Sequence, residues 1–442
     1  MTEQAYWSLQ ESSLAPQCVV TPHDSDEAAE AITVLVSSVC QSEKFAIKGN
    51  GHAPAAGFAN VDGGVTIDTT SLTTITLSHD RSVVTVGTGN NWLDVYAYLD
   101  PHNLTVAGGR NGRVGVGGLT LGGGISYFSP QVGFTCDTVV NFELVQASGK
   151  LINANATSYP DIYKALKGGT NNFGLVTAFT FATIPYTKIL GGSLVNTITH
   201  RDAVFKAFAN IASAPNYDVH ASIVTSVVFN STSKAWVLSS TPAYTLPEEH
   251  PRVYNELFSV PNISDTLHLT NLSTFSNESA TPPLNWLFYT GTYGVSSDLL
   301  NRFFDIANNT LYSAPAGELW VFAFEPLPTA FVAAGAGNNS LGTSPKSGNS
   351  MILLISAAWP DPASDKQVQA KAVGLMSKLN GAAASMGLRK GFVYANYANQ
   401  LQKPLDSYGA ANLAALKGVA KKYDPAGVFQ KQAPGGFKLF VW

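Results

Sequence analysis

The chain has 442 residues, of which 45% are hydrophobic and only 13% are charged. This length exceeds what one compact core usually holds, so two domains are expected. The net charge of −4 and the pI near 6.1 give no reason to expect a nucleic acid or an anionic membrane as a partner. No apolar run approaches the roughly 18 residues of a membrane span.

Eight Asn-x-Ser/Thr sequons indicate the secretory pathway. Five of the eight lie between Asn230 and Asn308, so we expect a secreted glycoprotein whose leader peptide is absent from this sequence. Of the three cysteines, Cys18 and Cys40 could pair with each other, or one of them with a partner in a missing N-terminal segment; Cys136 is expected to be buried. The sequons are at Asn103, Asn155, Asn230, Asn262, Asn271, Asn277, Asn308 and Asn338.

The first 185 residues alternate short strands and helices. "CVVTP" at 18–22 predicts a strand, and Asp24 with Glu27 forms a capping-box pair before a helix. Further strands are predicted in "FAIK", "GVTIDT", "TTITLS", "SVVTVGTG" and near 173–185. The pattern of small βαβ and hairpin units is typical of an α+β domain. Two apolar helical stripes accompany these strands: Ile32, Leu35, Val36 and Val39 in the first, and Trp92, Val95, Tyr96 and Leu99 in the second.

After Pro185 the pattern changes to long strands with helical interruptions. The segments "ASIVTSVVFN", "KAWVLSSTPAY", "NWLFYTGTYG", "ELWVFAFEPLP" and "SMILLISAAWP" predict an antiparallel sheet. Helices near 299–311 and 366–379 are expected to back it. The chain therefore predicts a second domain built on this sheet, followed by a polar and aromatic tail.

The stretch "FAIKGNGHAPAAGFA" at 45–59 places one histidine, His52, in a glycine-rich turn after a strand. A structural glycine turn needs no imidazole, and a catalytic histidine usually has an acid or hydroxyl partner, which is missing beside it. The other histidines are scattered, and no pair has the spacing of a zinc or iron site. No Gly-x-Ser-x-Gly elbow occurs either. His52 therefore indicates another kind of chemistry.

A second glycine cluster, "GGRNGRVGVGGLTLGGGIS", spans 108–126, and nine of its nineteen residues are glycine. Such a run lets backbone N–H groups approach a ligand and form an anion-binding nest. It lacks the Lys-Ser/Thr of a Walker loop and the spacing of a Rossmann fingerprint. Two further small-residue loops adjoin strands, at 133–150 and 165–179. Together these loops could wrap one extended cofactor, or they could be unrelated turns.

Four ordered motifs resemble one family. "GNGH", "VGVGGLTLGGG", "CDTV" and "GGTNNFGLV" are similar to the FAD-binding domain of the vanillyl-alcohol-oxidase superfamily. The tail segments "YANYAN" and "YDPAGVF" match its berberine-bridge-enzyme-like branch, which includes many fungal oxidases. The resemblance covers nearly the whole chain and is least specific in the middle third. It implies a two-subdomain PCMH-type FAD-binding domain at 1–190, a substrate-binding domain at 191–390 and a C-terminal return to the FAD-binding domain at 391–442.

The resemblance also assigns residues to the cofactor. It implies that a ring nitrogen of His52 is bonded to the 8α-methyl carbon of the flavin. Many members carry a second, cysteinyl tether at the position of Asn111; an amide cannot form that thioether, so attachment through His52 only is expected. Val114 would line the pocket beside flavin C4a, where a valine is associated with oxidases. The expected cofactor-binding residues are His52, Gly49, Asn50, Gly51, Ala53, Gly57, Asn111, Val114, Gly115, Gly117, Gly118, Leu121, Gly122, Gly123, Cys136, Asp137, Gly174, Val176, Tyr394 and Asn396.

Hydride leaves a C–H bond more easily as the neighbouring O–H or N–H loses its proton, so a base near the flavin is expected. The family's Asn-Tyr motif maps to Asn396 and Tyr397, and Tyr397 is the leading candidate for the base if a flavin carbonyl or a cation lowers its pKa. Tyr394 and Asn396 complete the expected catalytic set; a mere packing role for Tyr397 is the alternative. A further aromatic group fits a core or a pocket wall equally: Trp320, Phe322 and Phe324, with Tyr289, Tyr293 and Glu325 as possible neighbours.

The resemblance implies an FAD-dependent oxidase that takes hydride from an alcohol, sugar or amine and is reoxidised by O2, giving hydrogen peroxide. Its expected partners are a small-molecule substrate and O2, and a monomer is expected. Two alternatives stay open: an oxidative cyclase or Diels–Alder-type enzyme of fungal secondary metabolism, and a flavin-binding protein with little turnover. The substrate cannot be read from the middle domain, where no motif is recognisable.

Overall fold

A computed structural model describes residues 6–37, 40, 42–277 and 283–440. Val39, placed by the sequence in an apolar helical stripe, lies outside these residues. The predicted α+β class is confirmed. In the described part of the chain, no helix combines the length and apolar character that crossing a membrane requires.

The strands form three main sheets. The described strands are β1 (Cys18–Val20), β2 (Phe45–Lys48), β3 (Val65–Asp68), β4 (Ile75–Leu77), β5 (Val83–Gly87), β6 (Leu104–Thr105), β7 (Val139–Val145), β8 (Leu151–Asn155), β9 (Leu175–Ala182), β10 (Ile184–Pro185), β11 (Ile189–Gly191), β12 (Leu194–Asn196), β13 (Ala221–Asn230), β14 (Ala235–Tyr244), β15 (Ser264–Asp265), β16 (His268–Thr270), β17 (Asn285–Gly294), β18 (Leu319–Leu327) and β19 (Ser350–Trp359).

Helices cover the sheets and connect them. The described α-helices are α1 (Leu9–Ser12), α2 (Ser25–Leu35), α3 (Trp92–Leu99), α4 (Val116–Leu121), α5 (Ser129–Val132), α6 (Pro160–Leu166), α7 (Arg201–Ser213), α8 (Asn255–Phe258), α9 (Leu272–Ser276), α10 (Ser297–Leu311), α11 (Thr329–Ala334), α12 (Asp365–Ser385), α13 (Ala410–Tyr423) and α14 (Val428–Lys431). Asp24 caps α2 through the N–H of Glu27, as predicted. The carboxylate of Glu27, however, accepts from the N–H of His23 rather than of Asp24, so the capping box is only half formed.

The two smaller main sheets belong to the first part of the chain. One is parallel with the order β1-β3-β2, and the other is antiparallel with the order β4-β5-β9-β7-β8. At the carboxyl ends of β2 and β3, Lys48 Nζ lies 2.8 Å from Asp68 Oδ2. Both side chains are largely buried, so this ion pair fixes the point where the chain leaves β2 and enters the turn that contains His52.

The large sheet takes its strands from Ile189 to Trp359 and runs β15-β12-β14-β13-β18-β19-β17, with β11 and β16 attached beside β14. Its pairings are antiparallel, as predicted. Helices α7, α10 and α12 cover one face and enclose an aromatic and aliphatic core. The opposite face turns toward the first part of the chain, where Leu327 joins the core built around β5, β7 and β9. The domain boundaries given above stay a prediction.

Strand β17 is the edge of the large sheet, and other parts of the chain satisfy its outward backbone groups. The side-chain amide of Gln10 bonds both the N–H and the C=O of Trp286 at 2.9 Å. Gln402 does the same at Thr290, and Asn399 donates to the C=O of Phe288. An edge strand with free backbone groups invites pairing with other chains, and these amides remove that opportunity.

Candidate active site

The turn after β2 places His52 against the N-terminal segment. Its imidazole stacks on the indole of Trp7, with ring centroids 4.7 Å apart and planes 14° from parallel. Removal of the ring from water lowers the pKa of His52 from 6.5 to about 4. The imidazole is therefore neutral at physiological pH, which is the form that acts as a nucleophile.

The glycine-rich loop around α4 is packed on one side and open on the other. A Cβ on Gly115 would lie 3.1 Å from Asn50, and one on Gly117 would overlap the hydroxyl of Thr88. A Cβ on Gly49 or Gly118, in contrast, would meet nothing within 4 Å. The loops at 49–53 and 115–118 thus lie together with bare backbone facing open space, which is what close approach of a phosphate-bearing ligand requires.

Asn111 and Val114 lie in the turn before α4. Asn111 Oδ1 accepts from the N–H of Arg113 at 2.9 Å, so this side chain stabilises its own turn. Val114 is partly buried and packs on the core of the first part of the chain. Its C=O accepts from the N–H of Trp92.

The turn after α4 is held from both sides. The C=O of Leu121 accepts from the N–H groups of Gly168 and Thr170, and that of Gly123 accepts from the N–H of Cys136 at 2.8 Å. A side chain on Gly122 would overlap the amide of Asn396. Only glycine fits here, because the backbone of α4 and the tail meet at contact distance.

Cys136 and Asp137 support this turn from behind. Cys136 is fully buried, as predicted, and burial raises the pKa of its thiol well above the usual value. Asp137 accepts from the N–H of Phe134 and the amide of Asn339, both at 2.8 Å. All three cysteines of the described chain are unpaired.

Gly174 and Val176 stand at the start of β9 and take part in strand packing. A Cβ on Gly174 would lie 2.5 Å from the C=O of Val145, and Val176 is buried in the core. Gly57 and Ala53 belong to the turn after β2. Gly57 donates its N–H to the carboxylate of Glu11, and the C=O of Ala53 lies 3.5 Å from the hydroxyl of Ser8.

The tail returns to α4 through the short 3-10 turn Ala395–Tyr397. Asn396 Nδ2 donates to the C=O of Leu119 at 2.9 Å and to the hydroxyl of Tyr394 at 3.0 Å. The rings of Tyr394 and Tyr397 meet edge to face, with centroids 4.9 Å apart. Asn396 therefore anchors the tail to the glycine-rich loop and sets the position of both tyrosines.

Tyr397 belongs to a largely buried three-residue group that joins three parts of the chain. Its hydroxyl donates to Glu325 Oε1 of β18 at 2.9 Å and accepts from Arg110 Nη2 at 2.6 Å. Arg110 Nη2 also lies 2.7 Å from Glu325 Oε1. Among the described residues, no donor reaches the second carboxylate oxygen, Oε2, although it is buried. A buried carboxylate oxygen without a donor is costly, so this atom is suited to receive one from a ligand.

The charges of this group oppose one another. Burial raises the pKa of Tyr397 well above 10; the cation of Arg110 lowers it, and Glu325 raises it further. Burial would lower the pKa of Arg110, but Glu325 and Tyr397 outweigh it, so the pKa of the guanidinium is raised. Tyr397 therefore stays protonated at neutral pH, and Arg110 stays charged. The lowered pKa that the sequence analysis required of a tyrosine base is not produced by this cation.

The six residues that the sequence assigned equally to a core or a pocket wall separate into two sets. Five of them are buried in the core beneath α7, α10 and α12 and are not pocket wall: Trp320, Phe322, Phe324, Tyr289 and Tyr293. Glu325 alternates with Phe324 along β18, so it points to the opposite face, toward Tyr397. Arg110 was not among the residues predicted for the site, although an arginine within a glycine run was a signal for it. In the described residues, no cluster of acidic, histidine and cysteine side chains is suited to hold a metal ion.

The residues present fit FAD. The bare backbone at Gly49 and Gly118 suits the phosphates of FAD. The neutral imidazole of His52 suits attachment to the flavin. The Tyr397 hydroxyl and the carboxylate oxygen of Glu325 that has no donor suit contact with the substrate of a flavin enzyme. Fold and site together define an FAD-dependent oxidoreductase. Residues 16–155 match the model of a family described as an FAD binding domain.

The chain is 32% identical to the FAD-dependent monooxygenase CTB5 of Cercospora beticola, over 98% of this chain and 86% of that protein. It is 33% identical to the FAD-dependent monooxygenase drtC of Aspergillus calidoustus, over 99% of this chain and 85% of that protein. The fold is that of the xylooligosaccharide oxidase of Myceliophthora thermophila C1, with a TM-score of 0.79, 18% identity and 99% and 95% of the two chains covered.

The fold is likewise that of Physcomitrella patens BBE-like 1, with a TM-score of 0.78, 18% identity and 99% and 94% of the two chains covered. The chain belongs to the family of these fungal FAD-dependent monooxygenases, and its fold is the one that the resemblance to berberine-bridge-enzyme-like oxidases implies. The predicted resemblance and FAD as the cofactor are thereby confirmed, and attachment through His52 stays a prediction.

Proposed function

We propose that this enzyme is an oxidase that removes hydride from a C–H bond of an alcohol, sugar or amine. Bound FAD would accept the hydride at N5 and pass the two electrons to O2, giving hydrogen peroxide. The observation that carries the proposal is the buried group of Arg110, Glu325 and Tyr397, with a carboxylate oxygen of Glu325 left for a donor.

Tyr397 acts in this proposal as a proton relay and not as a standing tyrosinate. The substrate hydroxyl or amine gives its proton to the Tyr397 oxygen while the Tyr397 proton moves to Glu325, 2.9 Å away. Arg110, 2.6 Å from the same oxygen, stabilises the negative charge that develops there. The free oxygen of Glu325 would orient a second donor group of the substrate.

The test is peroxide release and oxygen consumption with panels of sugars, aromatic alcohols and amines. One peroxide per oxidised substrate supports an oxidase. The names of the fungal relatives favour a second candidate, a monooxygenase, and ¹⁸O2 distinguishes the two: label in the organic product identifies the monooxygenase, and label in the peroxide identifies the oxidase. An isomerised or ring-closed product would instead support the cyclase alternative.

We further propose that FAD is attached through His52 alone. In the net reaction, a bond from a ring nitrogen to the 8α carbon replaces one N–H and one C–H bond; two protons and two electrons leave, and O2 takes them up as hydrogen peroxide. The neutral imidazole supports this assignment. Asn111 offers no thiol, and the pKa of Cys136 is raised by full burial, so neither suits a second tether.

We also propose a secreted, glycosylated monomer. Six sequon asparagines are exposed, which supports modification: Asn103, Asn230, Asn262, Asn271, Asn277 and Asn338. Asn155 and Asn308 are partly buried, and Asn308 accepts a hydrogen bond from Trp236, so these two are expected to stay unmodified. Deglycosylation followed by mass spectrometry tests the pattern in protein from the native host, and light scattering tests the mass of the assembly.

A further inference from the structure

The N-terminal segment 7–11 lies between the His52 turn and the large sheet. The indole of Trp7 stacks on His52 on one side and on Trp286 of β17 on the other, where the ring centroids are 4.3 Å apart and the planes 27° from parallel. The ring of Phe288 is tilted against the same indole, with the two ring centroids 5.2 Å apart. Trp7 therefore bridges the imidazole and the substrate-side sheet through continuous aromatic contact.

Backbone bonds fix this segment to both neighbours. The N–H of Trp7 donates to the C=O of Gly51, the residue before His52, at 2.9 Å. The N–H of Leu9 donates to the C=O of Leu284 at 2.9 Å, and Gln10 bonds the backbone of Trp286 in both directions. The backbone that carries the indole therefore cannot move relative to either side without breaking several hydrogen bonds.

Glu11 fastens the other end of the same turn. Its carboxylate is fully buried and accepts from the N–H groups of Gly57, Phe58 and Ala59 at 3.2, 2.8 and 2.7 Å. The turn that contains His52 is thus held at residue 51 by Trp7 and at residues 57–59 by Glu11. One short helix, α1, carries or adjoins both contacts.

We propose that Trp7 is a positioning residue for His52. The stacked indole restricts rotation of the imidazole and removes one of its faces from water. The first effect orients the ring nitrogen toward the flavin, and the second keeps the ring neutral. This inference rests on the proposed attachment of FAD through His52, but its physical content, the orientation and protonation of the imidazole, is measurable without the flavin.

The test is the rate of covalent attachment when the flavin-free chain is incubated with FAD. Measuring this rate at two pH values separates the orientation of the imidazole from its protonation. At pH 8 the imidazole is neutral in every variant, so a slower rate reports lost orientation. At pH 5 a His52 whose pKa has risen from about 4 to about 6 would be neutral about tenfold less often. Trp7→Ala is expected to be slower at both pH values, with a further tenfold loss at pH 5, and Trp7→Phe is expected to retain the stack and most of the rate.

Trp7→Leu keeps apolar cover without stacking, so it should be slowed at pH 8 with little additional loss at pH 5. Trp236→Ala is the matched control: it removes another partly buried indole, on the large sheet, and should attach FAD at the wild-type rate. Wild-type rates at both pH values in both Trp7→Ala and Trp7→Leu would overturn the inference.

If the wild type forms no covalent flavin, the inference is tested on the flavin-free chain with diethyl pyrocarbonate. Peptide mass mapping then measures the carbethoxylation of His52 at each pH. The absence of covalent flavin in the wild type would refute the proposed attachment but not the positioning role of Trp7. A reaction midpoint near pH 4 in the wild type and near 6 in Trp7→Ala supports the positioning role. Identical midpoints and rates in the two proteins would refute it.

Discussion

Arg110 and Glu325 form an ion pair across the junction between the glycine-rich loop and the large sheet, with Arg110 Nη2 2.7 Å from Glu325 Oε1. Both side chains are largely buried, with exposed fractions of 13% and 4%. Removing one partner of a buried pair leaves the other charge without compensation, which is more costly than the pair itself is stabilising. The pair therefore supports both stability and chemistry.

Arg110→Met should lower the free energy of unfolding by about 3–5 kcal/mol, because Glu325 is left buried without its cation. Flavin reduction should slow as well, since Tyr397 loses the cation beside its oxygen. Urea unfolding and anaerobic stopped-flow absorbance measure the two effects. Arg113→Met, in an exposed position of the same loop, is the comparison variant and should lower the free energy of unfolding much less, because exposed charges contribute little.

Tyr397→Phe should slow flavin reduction by about 10²–10⁴-fold, the usual contribution of a positioned acid or base. The rate of reoxidation by O2 should stay the same, because the relay serves the substrate proton. Tyr423→Phe is the control: it removes a tyrosine hydroxyl that donates to Asp161, outside the site, and should leave both rates unchanged. Equal reduction rates in wild type and Tyr397→Phe would exclude the relay.

The resemblance implies that Val114 lies beside flavin C4a, so Val114→Leu should exclude O2, slow reoxidation and leave reduction by substrate unchanged. A tenfold slower step corresponds to about 1.4 kcal/mol of added barrier. Mixing the reduced enzyme with aerated buffer measures it, and Val116→Leu, at a buried position in α4, reports what added bulk alone does to the loop. Wild-type reoxidation that takes minutes in air would contradict the oxidase proposal.

Glu11 should make stability depend on pH. Burial raises its pKa from 4.5 to about 7, and the backbone hydrogen bonds from residues 57–60 lower it only in part. Between these values the folded state binds a proton that the unfolded state has lost, so stability falls as pH rises from about 4.5 to 7, by about 3 kcal/mol in total. The unfolding free energy of the wild type should therefore fall, relative to that of Glu11→Gln, by about 2.5 kcal/mol from pH 5 to pH 8. A difference independent of pH would show that Glu11 is ionised throughout.

His52→Ala should leave no covalent flavin. After acid precipitation the wild-type pellet should stay yellow, and peptide mapping should find one flavinylated peptide, containing His52. The variant should release its FAD or hold it without a covalent bond and should be reduced more slowly. A flavinylated peptide containing Cys136, or a tether that survives in His52→Ala, would refute attachment through His52 alone.

Local patterns in the sequence carried the fold class and the family, because glycine turns, strand alternation and helix stripes depend on near neighbours. Glu325 was visible as the one charge in the apolar strand "ELWVFAFEPLP" after its first residue. The contact between Glu325 and Arg110 could not be predicted, because 215 residues separate the two and no local pattern specifies the pairing. The Trp7 stack was missed for the same reason: a single tryptophan in a polar segment carries no periodicity, and its partner Trp286 lies far along the chain, in β17 of the large sheet.

The amides that cover β17 come from opposite ends of the chain, Gln10 from the first helix and Asn399 and Gln402 from the tail. During synthesis, the strands of the large sheet emerge from the ribosome before residues 399–402 do. The nascent protein therefore has a partly unpaired sheet edge until residues 399–402 have emerged, and during this interval the edge is exposed to self-association and to chaperones. Fragments that stop short of residue 399 should accumulate as aggregates, while a tail supplied in trans should restore solubility.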